Sequence, residues 1–205
     1  MTPGLTHRGT AGSLLGATVA LLLTACITPP GYRASSPGDG AGEGAGPRPF
    51  TRSSAELVAA LDLGWNLGNS LDVPGGETAW GNPRVTPELL RADAKAGFDL
   101  VRIPVTWAPH TGPGPDYVIE RGWLERVDEV VGYAHEAGLH AIINLHHDGA
   151  DGFAGVEWLT LNDADGDTTA ENDAAVRARF LKVWGQIARH FAGYGEELLF
   201  ESMNE

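Results

Sequence analysis

Beyond residue 50 the apolar positions fall into two textures that alternate along the chain. Short apolar runs with strand character occupy Leu61–Leu67 (LDLGWNL), Leu100–Val105 (LVRIPV), Ala141–His147 (AIINLHH) and Leu198–Asn204 (LLFESMN). Between them apolar residues recur at helical spacing. Thr86, Pro87 and Glu88 open one such segment as an N-cap followed by proline in the first turn, and Gly97 closes it. A second places Trp123, Leu124, Val127, Val130, Val131 and Ala134 on one face and stops at Gly138. A third aligns Val176, Phe180, Val183, Trp184, Ile187 and Phe191.

Strands alternating with helices imply parallel strands joined by right-handed crossovers. An open doubly wound sheet and a (β/α)8 barrel compete for that pattern. The first βα turn, GWNLGNS, lacks the glycine fingerprint of a dinucleotide fold, and no helix starts directly behind it. Alternation along the strands favours the barrel. Arg102 lies opposite Val101 and Ile103, Asn144 and His146 share a face opposite Ile143 and Leu145, and Glu201 shares one with Glu205. Each strand is greasy toward its helices and polar on the other face near its C-terminal end, where a barrel has its active-site mouth. A closed barrel has eight strands over about 250 residues. The expectation is therefore an α/β fold, a TIM barrel of which residues 51–205 hold about the first four β/α units.

The first fifty residues read differently. Met1 to Gly9 carries Arg8 and no acid, and Ala11 to Leu23 is mostly apolar but too short to span a bilayer comfortably. That run enters LTAC, Leu23 to Cys26, which resembles the lipobox of bacterial lipoproteins. The resemblance implies a signal peptide over 1–25, acylation of Cys26, and export to the bacterial cell surface or the periplasmic side. The membrane is then touched only through the lipid anchor. A plain secretory signal with an incidental cysteine is the alternative. Cys26 is the only cysteine, so no intramolecular disulfide can form. Residues 26–50 are mostly Pro, Gly, Ala and Ser, and read as a flexible tether. A formal charge of −13 argues against nucleic acid or an anionic membrane surface as partner, and is indifferent to a neutral glycan.

Five stretches carry the chemistry: GWNLGNSLD, ETAWGNP, AGFDLVRIPVTW, AIINLHHD and LLFESMNE. Each is weak alone, but together, in order and on the expected elements, they resemble glycoside hydrolase family 5 and its endoglucanase and xyloglucanase-like branch. The resemblance covers about Leu57 to Glu205. It implies a retaining β-glycosidase acting on internal β-1,4 bonds of cellulose, mixed-linkage glucan or xyloglucan, with mannan left open. The implied partner is a β-glucan polysaccharide or oligosaccharide, the implied state a monomer, and no cofactor is required. By resemblance Glu205 is the acid/base and Asn204 the contact to the sugar 2-hydroxyl. Arg102 matches the arginine that holds the nucleophile ionised, with an ion pair to Glu201 as the alternative. His146 matches a histidine touching sugar or nucleophile, and His147 and Asn69 are further candidate contacts. The nucleophile is expected from a seventh strand. Asp163, Asp165, Asp167 and Glu171 belong to the loop and helix after the third strand and cannot replace it, so the 205-residue chain is expected to be inactive alone. A non-catalytic glycan-binding surface lipoprotein, or an inactive fragment of such an enzyme, is the competing reading.

Two metal readings are set aside. Neighbouring strand residues diverge, so His147 is expected to start on the face opposite His146, with a swing round at the strand end as the alternative, and no third ligand with zinc spacing follows. The acidic run Asn162–Glu171 has calcium-loop spacing at Asp163, Asp165 and Asp167, yet Thr168 stands where such a loop needs glycine and no glutamate closes it. Trp80, Trp107 and Trp158 follow strands and are candidate stacking platforms for sugar rings, whereas Trp123 and Trp184 sit on apolar helix faces and are expected in the core.

Overall fold

A computed structural model of the chain describes residues 48–148, 158–159 and 170–204. The signal segment, Cys26, nearly all of the tether, Glu205 and the acidic run as far as residue 169 lie outside the described residues.

The elements follow in the order α1 (Ser54–Ala60), β1 (Gly64–Asn66), α2 (Pro87–Ala96), β2 (Leu100–Ile103), α3 (Arg121–Glu136), β3 (His140–Asn144), α4 (Ala170–His190) and β4 (Leu198–Glu201). All strand pairs are parallel, and the sheet order β1-β2-β3-β4 equals the chain order. This is the arrangement of consecutive β/α units in part of a barrel. Helix α1 was not anticipated, although Ser53-Ser54-Ala55-Glu56 is a capping-box sequence: Ser53 Oγ accepts the Glu56 N–H at 3.3 Å, and the Glu56 carboxylate accepts the Ser53 N–H at 2.7 Å. Helices α2 and α3 stop where glycine can turn left-handed, with Gly97 at φ 100° and Gly138 at φ 83°.

Val101, Ile103, Ala141 and Ile143 face the helices and are buried against Leu90 of α2, Val127 and Val130 of α3 and Ile187 of α4. Burying each such aliphatic side chain is worth about 1.5–3 kcal/mol relative to leaving it exposed. Truncating the fully buried Ile143 to alanine would therefore cost about 2–5 kcal/mol. The strands are shorter than their apolar runs predict. The ladders end at Asn66, Ile103, Asn144 and Glu201, and the chain then leaves the sheet held by single bonds such as Leu67 N–H to Arg102 O (2.8 Å) and Asn204 N–H to Leu145 O (2.8 Å). Those departures put side chains from consecutive residues over the end of the sheet, where strict alternation no longer governs them.

Candidate active site

The polar face of the sheet converges at its C-terminal end. Arg102 is in register with Asn66 on β1 and Ile142 on β3, and Ile142 with Leu199 on β4. Glu201 lies two residues further on, so the guanidinium rises roughly 7 Å toward the strand ends. There Nε and Nη2 donate to the two Glu201 oxygens at 2.6 and 2.7 Å, Nη2 also to Asn204 Oδ1 at 3.0 Å, and Nη1 to Asn66 Oδ1 at 2.9 Å. The paired bonds from Arg102 hold the Glu201 carboxyl below the usual carboxylate range, against the opposing effect of burial. Arg102 is in turn pushed up, first by its bonds to Glu201 and then by the charges of Glu201 and Asp72.

Beneath this pair sits Asn144, at 0% exposure. Its Oδ1 accepts the Val105 N–H at 3.1 Å, while Nδ2 faces Glu201 Oε1 at 3.4 Å and His146 Nδ1 at 3.3 Å. Its carbonyl accepts the indole N–H of Trp107 at 2.8 Å. That contact corrects the expectation for Trp107. The ring is 0% exposed and packed in the core, so it offers no face to a sugar. Trp158 is half-buried instead of open: its indole donates to Asp148 Oδ1 at 2.8 Å, and the Arg179 guanidinium lies 4.4 Å from the ring centre. Burial pushes the Asp148 carboxyl up, despite N–H donors from Trp158, Trp107 and Ala108. Of the three candidate platforms, Trp80 alone is exposed, at 45%.

His146 and His147 do not diverge. Strand β3 has already ended, and the two rings lie 4.5 Å apart on the same side. Each Nε2 is 4.0 Å from Asp72 Oδ2, and Trp80 stands 5.9 Å from His147. The Asp72 carboxylate is buried and fixed by the N–H groups of Ser70 (2.7 Å) and Asn69 (3.1 Å), the latter in the left-handed region at φ 58°. The Thr106 hydroxyl ties this turn to the histidines, donating to Asp72 O at 2.6 Å and accepting the His147 N–H at 3.2 Å. A third donor residue thus accompanies the histidines in space although none follows them in sequence: Asp72, His146 and His147 present donor atoms within 4.8 Å of one another.

The structure thus brings Arg102, Asn204, His146 and His147 to one mouth, with exposed Asn69 on the adjoining loop. Glu205 lies outside the described residues. Asn66 and Asp72 were missed as site residues, although both stand inside the GWNLGNSLD stretch. Neither has a periodicity that marks it; what identifies them is contact across space with Arg102 and the histidines. A mouth of this kind can orient hydroxyl groups and keep carboxylates ionised.

A family model described as cellulase (glycosyl hydrolase family 5) matches residues 66–205. Among curated relatives, the cellulase/esterase CelE of Acetivibrio thermocellus is 46% identical over 75% of this chain and 17% of its own length. Endoglucanase B of Clostridium cellulovorans is 44% identical over 75% of this chain and 32% of its own. Among solved structures, a family 5 xyloglucanase from Paenibacillus pabuli superposes with a TM-score of 0.66 at 45% identity, covering 73% of this chain and 40% of that one. A broad-specificity endoglucanase from Bacteroides salanitronis gives 0.65 at 52% identity over 71% and 38%. The chain therefore spans well under half the length of these relatives.

Proposed function

Because the chain belongs to glycoside hydrolase family 5, we propose that it carries the acid/base side of a retaining site that hydrolyses internal β-1,4 bonds of β-glucans. The observation that carries this reading is the Arg102–Glu201–Asn204 constellation at the C-terminal ends of parallel strands, directly before Glu205. Cleaving an acetal requires a proton for the leaving oxygen and an anion facing the developing oxocarbenium ion. Glu205 supplies that proton and later takes one from the attacking water. Asn204 has its Oδ1 engaged by Arg102, which leaves Nδ2 to donate toward the sugar 2-hydroxyl. His146, His147 and Asn69 contact the sugar, and Trp80 offers the exposed ring for stacking.

The nucleophile comes from a strand beyond the four of this sheet, with the two carboxyl groups about 5–5.5 Å apart. Arg102 then keeps that carboxylate ionised as it does Glu201. On this reading the 205-residue chain does not turn over glucan alone. Carboxylates perform both the proton transfer and the displacement, so no cofactor enters. Cellulose, mixed-linkage glucan and xyloglucan are the proposed substrates. The proposed setting is an exported monomer held to the membrane by lipid on Cys26, with residues 26–50 as tether.

The test is release of reducing ends from soluble xyloglucan and mixed-linkage glucan, by the 205-residue chain and by a chimera completed with the remaining strands of a family 5 endoglucanase. The chimera should turn over, and Glu205→Gln in it should remove most activity on poor leaving groups. Turnover by the 205-residue chain itself would overturn the assignment of the nucleophile. A folded chimera whose rate ignores Glu205→Gln would remove the acid/base assignment. One that binds glucan without cleaving it would make this a binding protein.

A further inference from the structure

Asn144 is a fully buried amide wedged between a backbone N–H, a carboxylate and an imidazole. Its orientation has one solution. The Val105 N–H can only donate, so the atom facing it at 3.1 Å must be Oδ1. The Glu201 carboxylate, ionised by Arg102, can only accept, so the atom facing Oε1 at 3.4 Å must be Nδ2. Two independent neighbours on opposite sides therefore agree. Turning the amide over would set oxygen against carboxylate and an amino group against an N–H.

The third neighbour follows by elimination. Nδ2 is a donor and faces His146 Nδ1 at 3.3 Å, so that nitrogen must be the one without a proton. A neutral imidazole then carries its hydrogen on Nε2, the atom turned toward Asp72 Oδ2 at 4.0 Å and the mouth of the sheet. We propose that Asn144 is a positioning residue that sets the tautomer of His146, so that the histidine meets whatever enters the mouth as an Nε2–H donor. The chain of command runs from the β2 backbone through a buried amide to a ring edge: Val105 N–H, Asn144 and His146. This bears on the Asp72, His146 and His147 group as well, because in this tautomer His146 turns a proton, not a lone pair, toward the other two.

The tautomer stands on the hydrogen-bond geometry alone. Its use as a donor to a sugar oxygen rests on the glucanase reading, and the two are separable by experiment. The 205-residue chain is labelled with 15N, and His146 is observed by long-range 1H–15N correlation near neutral pH, assigned through His146→Gln. The expected spectrum has Nδ1 in the unprotonated range and Nε2 in the protonated range. Asn144→Asp keeps an acceptor for the Val105 N–H but presents a carboxylate oxygen to the ring, so Nδ1 should move into the protonated range. Asn144→Ser, which removes the amide donor without adding charge beside Glu201, should give a mixture of both forms. A wild-type His146 protonated at Nδ1, or a tautomer indifferent to both substitutions, overturns the proposal. Cellotriose binding by the same proteins is the second readout. A loss of at least tenfold in Asn144→Asp supports a donor role in sugar binding. If Nδ1 becomes protonated in that variant and binding does not change, the tautomer assignment stands and the sugar-contact reading of His146 falls.

Discussion

Arg102 on β2 and Glu201 on β4 pair through two bonds of 2.6 and 2.7 Å, although their strands are not neighbours in the sheet. The pair passes over β3, where Asn144 supports it from below. Three strands are thereby pinned at the end that carries the candidate chemistry. Glu201→Gln should cost about 1–2 kcal/mol at pH 7, the modest size reflecting that a quarter to a third of each side chain meets water. The sign with pH follows from the depressed carboxyl of Glu201. Its contribution is complete above the unfolded value of about 4.3 and is lost as pH falls through the lower folded value. Thermal melts from pH 7 to pH 3 should therefore show the wild type losing more stability than Glu201→Gln. Parallel curves would sink this account.

Trp107 separates two roles cleanly. As a core residue whose indole donates to the Asn144 carbonyl, its replacement by phenylalanine should destabilise by about 1–3 kcal/mol and leave glucan affinity unchanged. Urea denaturation and cellotriose titration are the measurements. A variant of unaltered stability but weakened binding would restore the platform reading. Trp80→Ala should behave in the opposite way, because that ring is exposed beside His147.

Glu77 and Arg126 fasten the loop that carries Trp80. Arg126 donates to the Glu77 carboxylate at 2.6 and 2.9 Å and to Val85 O at 2.9 Å, and both side chains are more than nine-tenths buried. Burial alone would lower the Arg126 pKa, but the bonds to Glu77 and Glu129 outweigh it and push it up. Glu77→Gln leaves a buried guanidinium short of a counter-charge and should cost about 3–5 kcal/mol. The measurement is the denaturation midpoint. A loss under 1 kcal/mol, set against about 0–1 for a surface pair, would mean that the loop is held otherwise.

Glu196 accepts four bonds from Thr51 and Arg52, at 2.8 to 3.0 Å. The Thr51 N–H first, then its hydroxyl and Arg52, hold the carboxyl down at about 2. The clamp is complete above the ordinary glutamate value of about 4.3 and opens as pH falls toward 2. The amide shifts of Thr51 and Arg52 should stay constant down to pH 4 and move together below pH 3. A joint transition centred at the ordinary value would contradict the clamp.

Helices α3 and α4 were legible because each buries a stripe at 3.6-residue spacing, and Trp123, Val127, Val130, Val131 and Ala134 are all buried where that stripe puts them; α2 was legible from its proline opening and glycine stop, and the short α1, with Leu57 alone buried, was not. Strand existence and facing were legible from alternation, since Val101 and Ile103 are buried while Arg102 faces the other way. Strand ends were not. Nothing in AIINLHH says that the ladder stops at Asn144, and that stop alone lets His147 join His146. Trp107 was misread because an aromatic residue just past a strand suits either a platform or a core, and only the position of Asn144 O decides between them. Asp72 escaped notice because the two histidines it faces lie more than seventy residues away.

Sheet order and chain order coincide, which has a consequence in time. Each strand can add to an edge that its predecessor has already formed, so no strand waits for a later one to make room. The contacts of Thr51 and Arg52 with Glu196 are different, since they join positions 145 and 144 residues apart. Assembly can start at the N-terminal unit, yet the lead-in to that unit stays unfastened until the turn before β4 arrives. The clamp is a late latch on an early structure.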